Sequence, residues 1–269
     1  MKINRKELRK IARKQLKGNW LWVIGLLIIP GIINLIVQHT NDYVWTGTFN
    51  ANNLYNISWW QIVGWMFFTL IIGVFIGVLS WGVKYATLAF RDTSKKPNIF
   101  KAIFSGYTSE YFTPTLLTSF LTSLFTFLWT LLLIIPGIIK SFSYAMAPYI
   151  LKDMIDSNHK TSATEAIRES QKVMKGHKGS LFIIWLTFNV WYFVVTLIGL
   201  IIFLLQLQSS GNLLLADLML RALITLLLVF IPVMIINFIL SLYLEPFYRQ
   251  TVANFYRTLV GDKYLKKEE

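Results

Sequence analysis

Long apolar runs constrain this chain more than any other feature of its sequence. The stretch from Leu131 to Ser180 contains the end of one membrane-length run, a Pro-Gly break, a shorter apolar return and a charged segment. About a quarter of a soluble domain is charged, but only 14% of these 269 residues are, and 55% are hydrophobic. The runs are long enough to cross a bilayer as helices. They predict an all-α, polytopic membrane protein whose helices share one bundle.

Lys and Arg residues mark the two sides of the membrane. Six transmembrane helices are predicted, over residues 20–37, 59–83, 115–135, 138–151, 181–205 and 222–244. Residues 38–58 contain no Lys or Arg, as expected of an external loop, whereas inner loops carry an excess of both. The short run 138–151 must cross if the six basic residues between 152 and 178 are to lie inside. Both termini are therefore predicted to be cytoplasmic.

The expected organisation is a single integral membrane domain, residues 1–269. A basic amphipathic helix (1–19) precedes spans one to four (20–151). A cytoplasmic amphipathic segment (152–180), with a helix expected from Ser162 to Lys175 and Ser162 and Glu165 as its capping box, precedes spans five and six and a cytoplasmic tail (181–269). Residues 245–259 are expected to form a separate inner helix.

An internal repeat is indicated by two features. The heptapeptide LIIPGII occurs at residues 27–33 and again at 133–139. Three inner amphipathic helices are each predicted to end in a glycine, Gly18, Gly106 or Gly176, before an outward span. The pattern suggests repeated units of amphipathic helix plus hairpin. Such repeats are common in transporters and channels, although they can build any bundle.

The first helix is predicted to contact lipid headgroups. Asn4 and Glu7 form a capping-box pattern at its start, and Leu8, Ile11, Ala12 and Leu16 form one apolar stripe surrounded by basic residues. A helix of this type lies at the surface of an anionic leaflet. The expected headgroup contacts are Arg5, Arg9, Arg13 and Lys17. The helix is interpreted as an orientation anchor, with a lipid-sensing element as the alternative.

Residues that could support chemistry are few. The chain has no cysteine, its histidines lack metal-ligand spacing, and no phosphate-binding loop or Ser-His-Asp arrangement is recognisable. We therefore expect no enzyme, no metal and no cofactor. A net charge of +13 would suggest nucleic acid for a soluble protein. Here the basic residues flank apolar runs, so anionic membrane lipids and not nucleic acid are the expected partners.

Four ionisable residues near membrane depth form the candidate polar site: Lys140, Asp217, Arg221 and Glu245. Asp217 and Arg221 are four residues apart and hence neighbours on one helical face. Lys140 is expected at the same outer level. Intramembrane charge marks functional sites by default. The alternatives are a small polar cavity open to the outside and an interfacial ion pair beside a snorkelling lysine.

Several motifs resemble a known family. They are the opening RKIARKQLKGNW (residues 9–20) and the residues Pro136, Gly137, Tyr144, Pro148, Tyr149, Ser170, Gly176, His177, Pro246 and Tyr256. Together they resemble the domain of unknown function 975, an uncharacterised integral membrane family of mainly Gram-positive bacteria. The chain departs from it at Phe247, which separates Pro246 from Tyr248, and the match is weak after Phe188. The resemblance implies a bacterial cytoplasmic membrane and no activity.

A second, looser resemblance suggests a lipid setting. The Pro-Gly-Ile, Ala-Pro and Met-Lys-Gly elements are also similar to the membrane module attached to some glycerophosphodiester phosphodiesterases. The catalytic acids and histidines of those enzymes lie in a separate domain that this sequence lacks.

These observations predict a non-enzymatic scaffold or accessory protein that organises lipids or partner proteins through its cytoplasmic basic helices. The alternative is a transporter or channel for a small or amphiphilic solute, and a lipid-modifying enzyme comes third. Transport predicts a continuous polar cavity that reaches Lys140 or Asp217, whereas a scaffold predicts a filled bundle interior.

Overall fold

The structure, a computed structural model, describes residues 3–48, 58–158, 162–208, 223–261 and 263–264. Every regular element within these ranges is helical. The helices are α1 Arg5–Leu16, α2 Trp20–Thr48, α3 Trp59–Thr93, α4 Ile99–Ile103, α5 Ser109–Leu132, α6 Ile134–Tyr144, α7 Ala147–Asp156, α8 Glu165–Val173, α9 Lys178–Gln208 and α10 Ile231–Val260. A 3₁₀ turn, Phe104–Tyr107, follows α4, and a π-helical turn, Leu226–Phe230, precedes α10.

Six helical stretches of the described chain are long and apolar enough to cross a membrane. They are Trp20–Thr40, Trp59–Thr93, Ser109–Leu132, Ile134–Asp156, Lys178–Gln206 and Leu223–Val260. Many of their large apolar side chains lie on the outside; Leu131 and Met234, for example, are 72% and 71% exposed. Such surfaces require an apolar solvent. The predicted all-α, multi-pass membrane fold is therefore confirmed.

Three predicted boundaries were wrong. The external loop was expected from residue 38, but α2 continues to Thr48. Residues 245–259 were expected as a separate inner helix, but they continue α10 through Pro246. The helix expected from Ser162 begins at Glu165. Hydropathy locates the limits of the apolar segment, and helical hydrogen bonding can extend beyond them into polar sequence.

The two LIIPGII copies adopt different structures. In the first copy Pro30 lies inside α2, and a Cβ added at Gly31 would meet nothing within 4 Å. In the second copy the chain turns at Leu133, whose φ of −158° and ψ of 137° are extended, and Pro136 falls in the first turn of α6. Proline is tolerated there because the first-turn N–H groups have no helical partner. The break therefore comes three residues before the predicted Pro136-Gly137.

Gly137 is required by this α5–α6 hairpin. A Cβ at this position would lie 2.2 Å from Thr130 Oγ1 and 2.7 Å from Thr130 Cα. No side chain fits at such distances, so the missing side chain lets the two helices approach closely.

The predicted repeat is visible in its first and third copies, at α1 and α8. Gly18 and Gly176 adopt the left-handed conformation, with φ of +78° and +81°. The side chains at positions ten, six and two residues before each glycine are buried. They are Leu8, Ala12 and Leu16 in α1, and Ala166, Ser170 and Met174 in and after α8. Gly106 differs, since it lies in the 3₁₀ turn and its Cβ would contact Val78 at 3.1 Å.

The described chain forms two compact units. The first comprises Met1–Leu181 with Arg249–Glu269, and the second comprises Phe182–Tyr248. One core cluster of the first unit joins α2, α3 and α4 through the buried residues Leu26, Leu79, Val83, Ala86, Ala102 and Ile103. In the second unit α9 packs on α10 through Phe188, whose ring lies 5.1 Å from that of Phe247.

Candidate functional site

A buried ion cluster lies in the first unit around Arg257, near the end of α10. Its Nε donates to both carboxylate oxygens of Asp92 at 3.1 Å, and its Nη2 donates to Asp153 Oδ1 at 2.8 Å. The side chains of Arg257 and Asp153 are only 4% and 1% exposed, and that of Asp92 is 22% exposed. Charges are rarely buried this deeply unless they are paired. The guanidinium thus joins two carboxylates that are distant in sequence.

Aromatic and basic neighbours complete the cluster. The Tyr256 hydroxyl donates to Asp153 Oδ2 at 2.7 Å, and the Tyr149 ring stacks on Tyr256 with 5.3 Å between centroids. Arg91 Nη1 donates to Asp92 Oδ1 at 2.8 Å. Two arginines therefore face two aspartates, so the ionised groups of the cluster balance.

The cluster is continuous with α1. Gln15 Oε1 accepts hydrogen bonds from Gln250 Nε2 at 2.9 Å and from Asn254 Nδ2 at 3.0 Å. Arg91 Nε in turn donates to Asn254 Oδ1 at 3.3 Å. These contacts bring the beginning of the chain and the end of α10 together beside the ion cluster.

The three ionised residues have equivalent places in three helices. Asp92, Asp153 and Arg257 each lie within three residues of the end of α3, α7 or α10. Each follows a buried apolar residue by two positions: Phe90, Leu151 and Phe255, which are 3%, 0% and 0% exposed. These three residues were not predicted, because in the sequence they resemble the ordinary loop charges that flank apolar runs. Their shared position near the C-terminal ends of α3, α7 and α10, two residues after a buried apolar residue, is the sequence signal from which they could have been predicted.

Ser170 supplies hydrogen-bond partners to the backbone at the break between α6 and α7. Its Oγ donates to the carbonyl of Ser143 at 2.7 Å and accepts from the N–H of Met146 at 3.2 Å. Buried backbone groups left without a helical partner need such substitutes. Pro148 lies at the start of α7, and Tyr144 is buried beside the break. These family-motif residues therefore hold α7 in place.

The other motif residues shape helix ends or lie inside a helix. Gly176 ends the α8 segment, and the carbonyl of His177 accepts from Leu181 N at 3.2 Å at the start of α9. Pro246 is buried within α10 in the second unit.

The candidate polar site is described only in part. Lys140 lies in α6 with its Nζ 4.5 Å from the centroid of the Trp129 ring, a cation–π contact. Glu245 lies in the second unit, within electrostatic range of Tyr192. Asp217 and Arg221 lie outside the described residues. The grouping of Lys140 with Asp217 and Arg221 stays a prediction. Among the described residues no group of His, Asp and Glu could hold a metal ion.

The two faces of α1 have different surroundings. Leu8, Ala12 and Leu16 are 4%, 0% and 0% exposed, so these three residues of the predicted apolar stripe pack inside the protein, whereas the fourth, Ile11, is exposed. The predicted headgroup contacts lie outside it: Arg5, Arg13 and Lys17 are exposed, and Arg9 is half-buried. The Asn4 side chain accepts from Glu7 N at 3.3 Å, which confirms the predicted helix start.

The end of the chain is held on α8. Glu169 accepts from Lys172 Nζ at 2.7 Å, from the Tyr264 hydroxyl at 2.6 Å and from Lys263 Nζ at 3.0 Å. These donors, Lys172 first, lower the pKa of Glu169 to about 2. The carboxylate is therefore ionised at all physiological pH values.

Residues 1–140 and 130–263 match the family described as Protein of unknown function (DUF975). The chain belongs to this family. The two matched segments together include every DUF975 motif residue named above and the whole ion cluster around Arg257. No curated protein and no solved structure matches the chain.

Proposed function

We propose that this DUF975 protein is a non-enzymatic scaffold or accessory protein of a bacterial cytoplasmic membrane, which organises anionic lipids through the basic face of α1. One observation carries the proposal: α1 is held by the protein itself, with its cations outward. Leu8, Ala12 and Leu16 of its apolar stripe are buried, and Gln15 is hydrogen-bonded to Gln250 and Asn254.

The energetic argument rests on this prior ordering. A basic residue near an anionic leaflet contributes about 1 kcal/mol. A segment that must fold on binding loses part of that gain to ordering. Because α1 is already docked, several cations can act on headgroups together without this cost. Partner proteins with acidic surfaces would meet the same face.

The topology that places this face in the cytoplasm also has structural support. The C-terminal ends of α3, α7 and α10 meet through Asp92, Asp153 and Arg257, and α1 lies beside them. This is the arrangement expected if α3, α6–α7 and α10 all return to one side. Both termini would then lie on that side, which the positive-inside rule assigns to the cytoplasm.

Transport has less support. That hypothesis predicted a polar cavity at Lys140 or Asp217, but Lys140 instead packs over Trp129. Arg257 and Asp153 are almost closed to solvent, which suits a joint between helices better than a solute site.

The test is lipid retention by the full chain. Protein purified from a mixture of phosphatidylglycerol and phosphatidylethanolamine would be examined by native mass spectrometry, and compared with Arg5→Gln/Arg9→Gln/Arg13→Gln/Lys17→Gln. We expect at least fivefold less phosphatidylglycerol on the variant and unchanged phosphatidylethanolamine, because losing even one cation–headgroup contact of about 1 kcal/mol lowers binding about fivefold.

A matched control separates the α1 face from net charge. Lys95→Gln/Lys96→Gln/Lys101→Gln/Lys175→Gln removes four exposed cations outside α1 and should retain phosphatidylglycerol. An equal loss in both variants would show that total charge, and not α1, attracts the lipid. For the topology, single cysteines at Lys17, Lys175 and Ser58 can be labelled in this cysteine-free chain. Labelling of all three from the same side would contradict it.

A further inference from the structure

A crevice of about 600 Å³ lies between α3 and α5, within the first unit. Gly77 and Ser119 lie at one end, where a Cβ on the glycine would be 4.0 Å from the serine Oγ. Trp65 and Phe127 lie at the other end. The volume falls in the range of small-molecule sites, about 300 to 1,000 Å³. Both walls belong to helices that are long and apolar enough to cross the membrane.

The walls of the crevice are chemically apolar. Its three hydroxyl-bearing residues are Thr69, Ser119 and Ser123. All of the lining residues belong to the described part of the chain, and none of them carries a charge. Thr69 Oγ1 donates to the carbonyl of Met66 at 2.9 Å, and Ser119 Oγ donates to that of Leu116 at 3.1 Å. These hydroxyl protons are therefore used within their own helices. The surface suits a hydrocarbon better than a polar solute.

The length of the crevice matches one half of a bilayer. From Trp65 to Gly77 α3 advances 12 residues, or about 18 Å along its axis. The hydrocarbon core of a bilayer is about 30 Å thick, so one leaflet contributes about 15 Å. Trp59 and Trp60, 80% and 83% exposed, lie just before this stretch, and aromatic residues mark the membrane–water interface. The crevice thus runs from near one interface towards the membrane centre.

We propose that this crevice binds one acyl chain of a membrane lipid, from the leaflet on the side of Trp59 and Trp60. Close packing of another helix needs small residues at the contact. Small residues are present on both walls, Gly73 and Gly77 on α3 and Ser119 and Ser123 on α5, but the α5 wall also carries Phe120, Leu124 and Phe127. A flexible acyl chain can fill the space between small and bulky side chains, whereas a rigid helix needs small residues along its whole contact. The inference goes beyond the headgroup contact proposed for α1 and stands independently of it.

The test uses a phosphatidylethanolamine that carries a photoactivatable group in its acyl chain, reconstituted with the full chain. Cross-links mapped by mass spectrometry are expected in residues 65–77 and 119–127. Gly73→Leu should fill the crevice, since a Cβ there meets nothing within 4 Å. Displacing about two methylene contacts should lower cross-linking in both segments roughly tenfold.

Gly64→Leu is the matched control. Gly64 is also in α3, its Cβ would also meet nothing within 4 Å, and it does not line the crevice. Both changes replace glycine by a better helix former, so both variants should fold. Ser123→Leu narrows the crevice from α5 and gives an independent test if Gly73→Leu proves unstable. Equal cross-linking in Gly73→Leu and Gly64→Leu would overturn the proposal.

A second copy of the chain is the competing occupant. Thr69→Cys places one thiol in the crevice of a chain that has no other cysteine. Under the proposal it reacts with a lipid-soluble maleimide and forms no disulfide-linked dimer in the bilayer. Efficient dimer formation, together with absent lipid cross-links, would show that a protein helix fills the crevice and would refute acyl-chain binding. Neither result depends on whether α1 binds anionic headgroups.

Discussion

Replacement of Arg257 by methionine tests whether the ion cluster joins the ends of three helices. Methionine keeps much of the apolar stem but leaves two carboxylates facing each other, one of which, on Asp153, is 1% exposed. Removing one partner of a buried ion group costs about 3–5 kcal/mol, because the remaining charge is buried without compensation. The total free energy of unfolding of a native protein is about 5–15 kcal/mol. The change is therefore expected to remove a large fraction of the free energy of unfolding.

The assay is thermal unfolding of the full chain in detergent, followed by the fluorescence of its 10 tryptophans. For a chain of this size 1 kcal/mol corresponds to about 2–4 °C in Tm. Arg257→Met should thus lower Tm by roughly 6–20 °C. Lys95→Met, an exposed lysine between α3 and α4, is the control and should stay within about 0.5 kcal/mol of the parent.

A double variant identifies the physical cause. Asp153→Asn removes the more deeply buried carboxylate charge, so Arg257→Met/Asp153→Asn should be more stable than the sum of the two single changes implies, by about 0.5–3 kcal/mol. Strict additivity would mean that Arg257 and Asp153 do not stabilise each other. A Tm of Arg257→Met within 2 °C of the parent would refute the role of the cluster itself.

Three further predictions concern single residues. Gly137→Ala forces a Cβ to 2.2 Å from a side-chain oxygen of α5 and should cost about 1–3 kcal/mol, whereas Gly31→Ala, the same place in the first LIIPGII copy, should be neutral or slightly stabilising; paired Tm values decide this. Ser170→Ala leaves two buried backbone groups at the α6–α7 break without their partners and should cost about 1–3 kcal/mol, and an unchanged Tm would contradict that role. Because the pKa of Glu169 is lowered to about 2, the stabilisation it gives is present above its ordinary pKa of about 4.3 and is lost as the pH falls towards 2. The Tm difference between the parent and Glu169→Gln should therefore be constant near neutral pH and shrink below about pH 4.5; a constant difference down to pH 3 would contradict the lowered pKa that Lys172, Tyr264 and Lys263 give Glu169.

The helix ends followed from local sequence, whereas the ion cluster around Arg257 did not. The capping residue Asn4 and the left-handed Gly18 and Gly176 adopt their predicted conformations, because caps depend on a few neighbouring residues. The family motif pointed to Ser170 and Tyr256 without giving their roles. Those roles depend on Met146 and Asp153, which the chain brings to them from elsewhere.

The sequence by itself determined the membrane class, the number of apolar spans and the amphipathic character of α1, since each depends on composition or on helical periodicity. Tertiary structure decided what each pattern is used for. The apolar stripe of α1 could equally have entered lipid, but the protein interior covers Leu8, Ala12 and Leu16. The same heptapeptide is continuous helix in α2 and a hairpin at Leu133. Asp92, Asp153 and Arg257 resemble ordinary loop charges until folding brings them together, because the cost of burying a charge depends on partners that are remote in the chain.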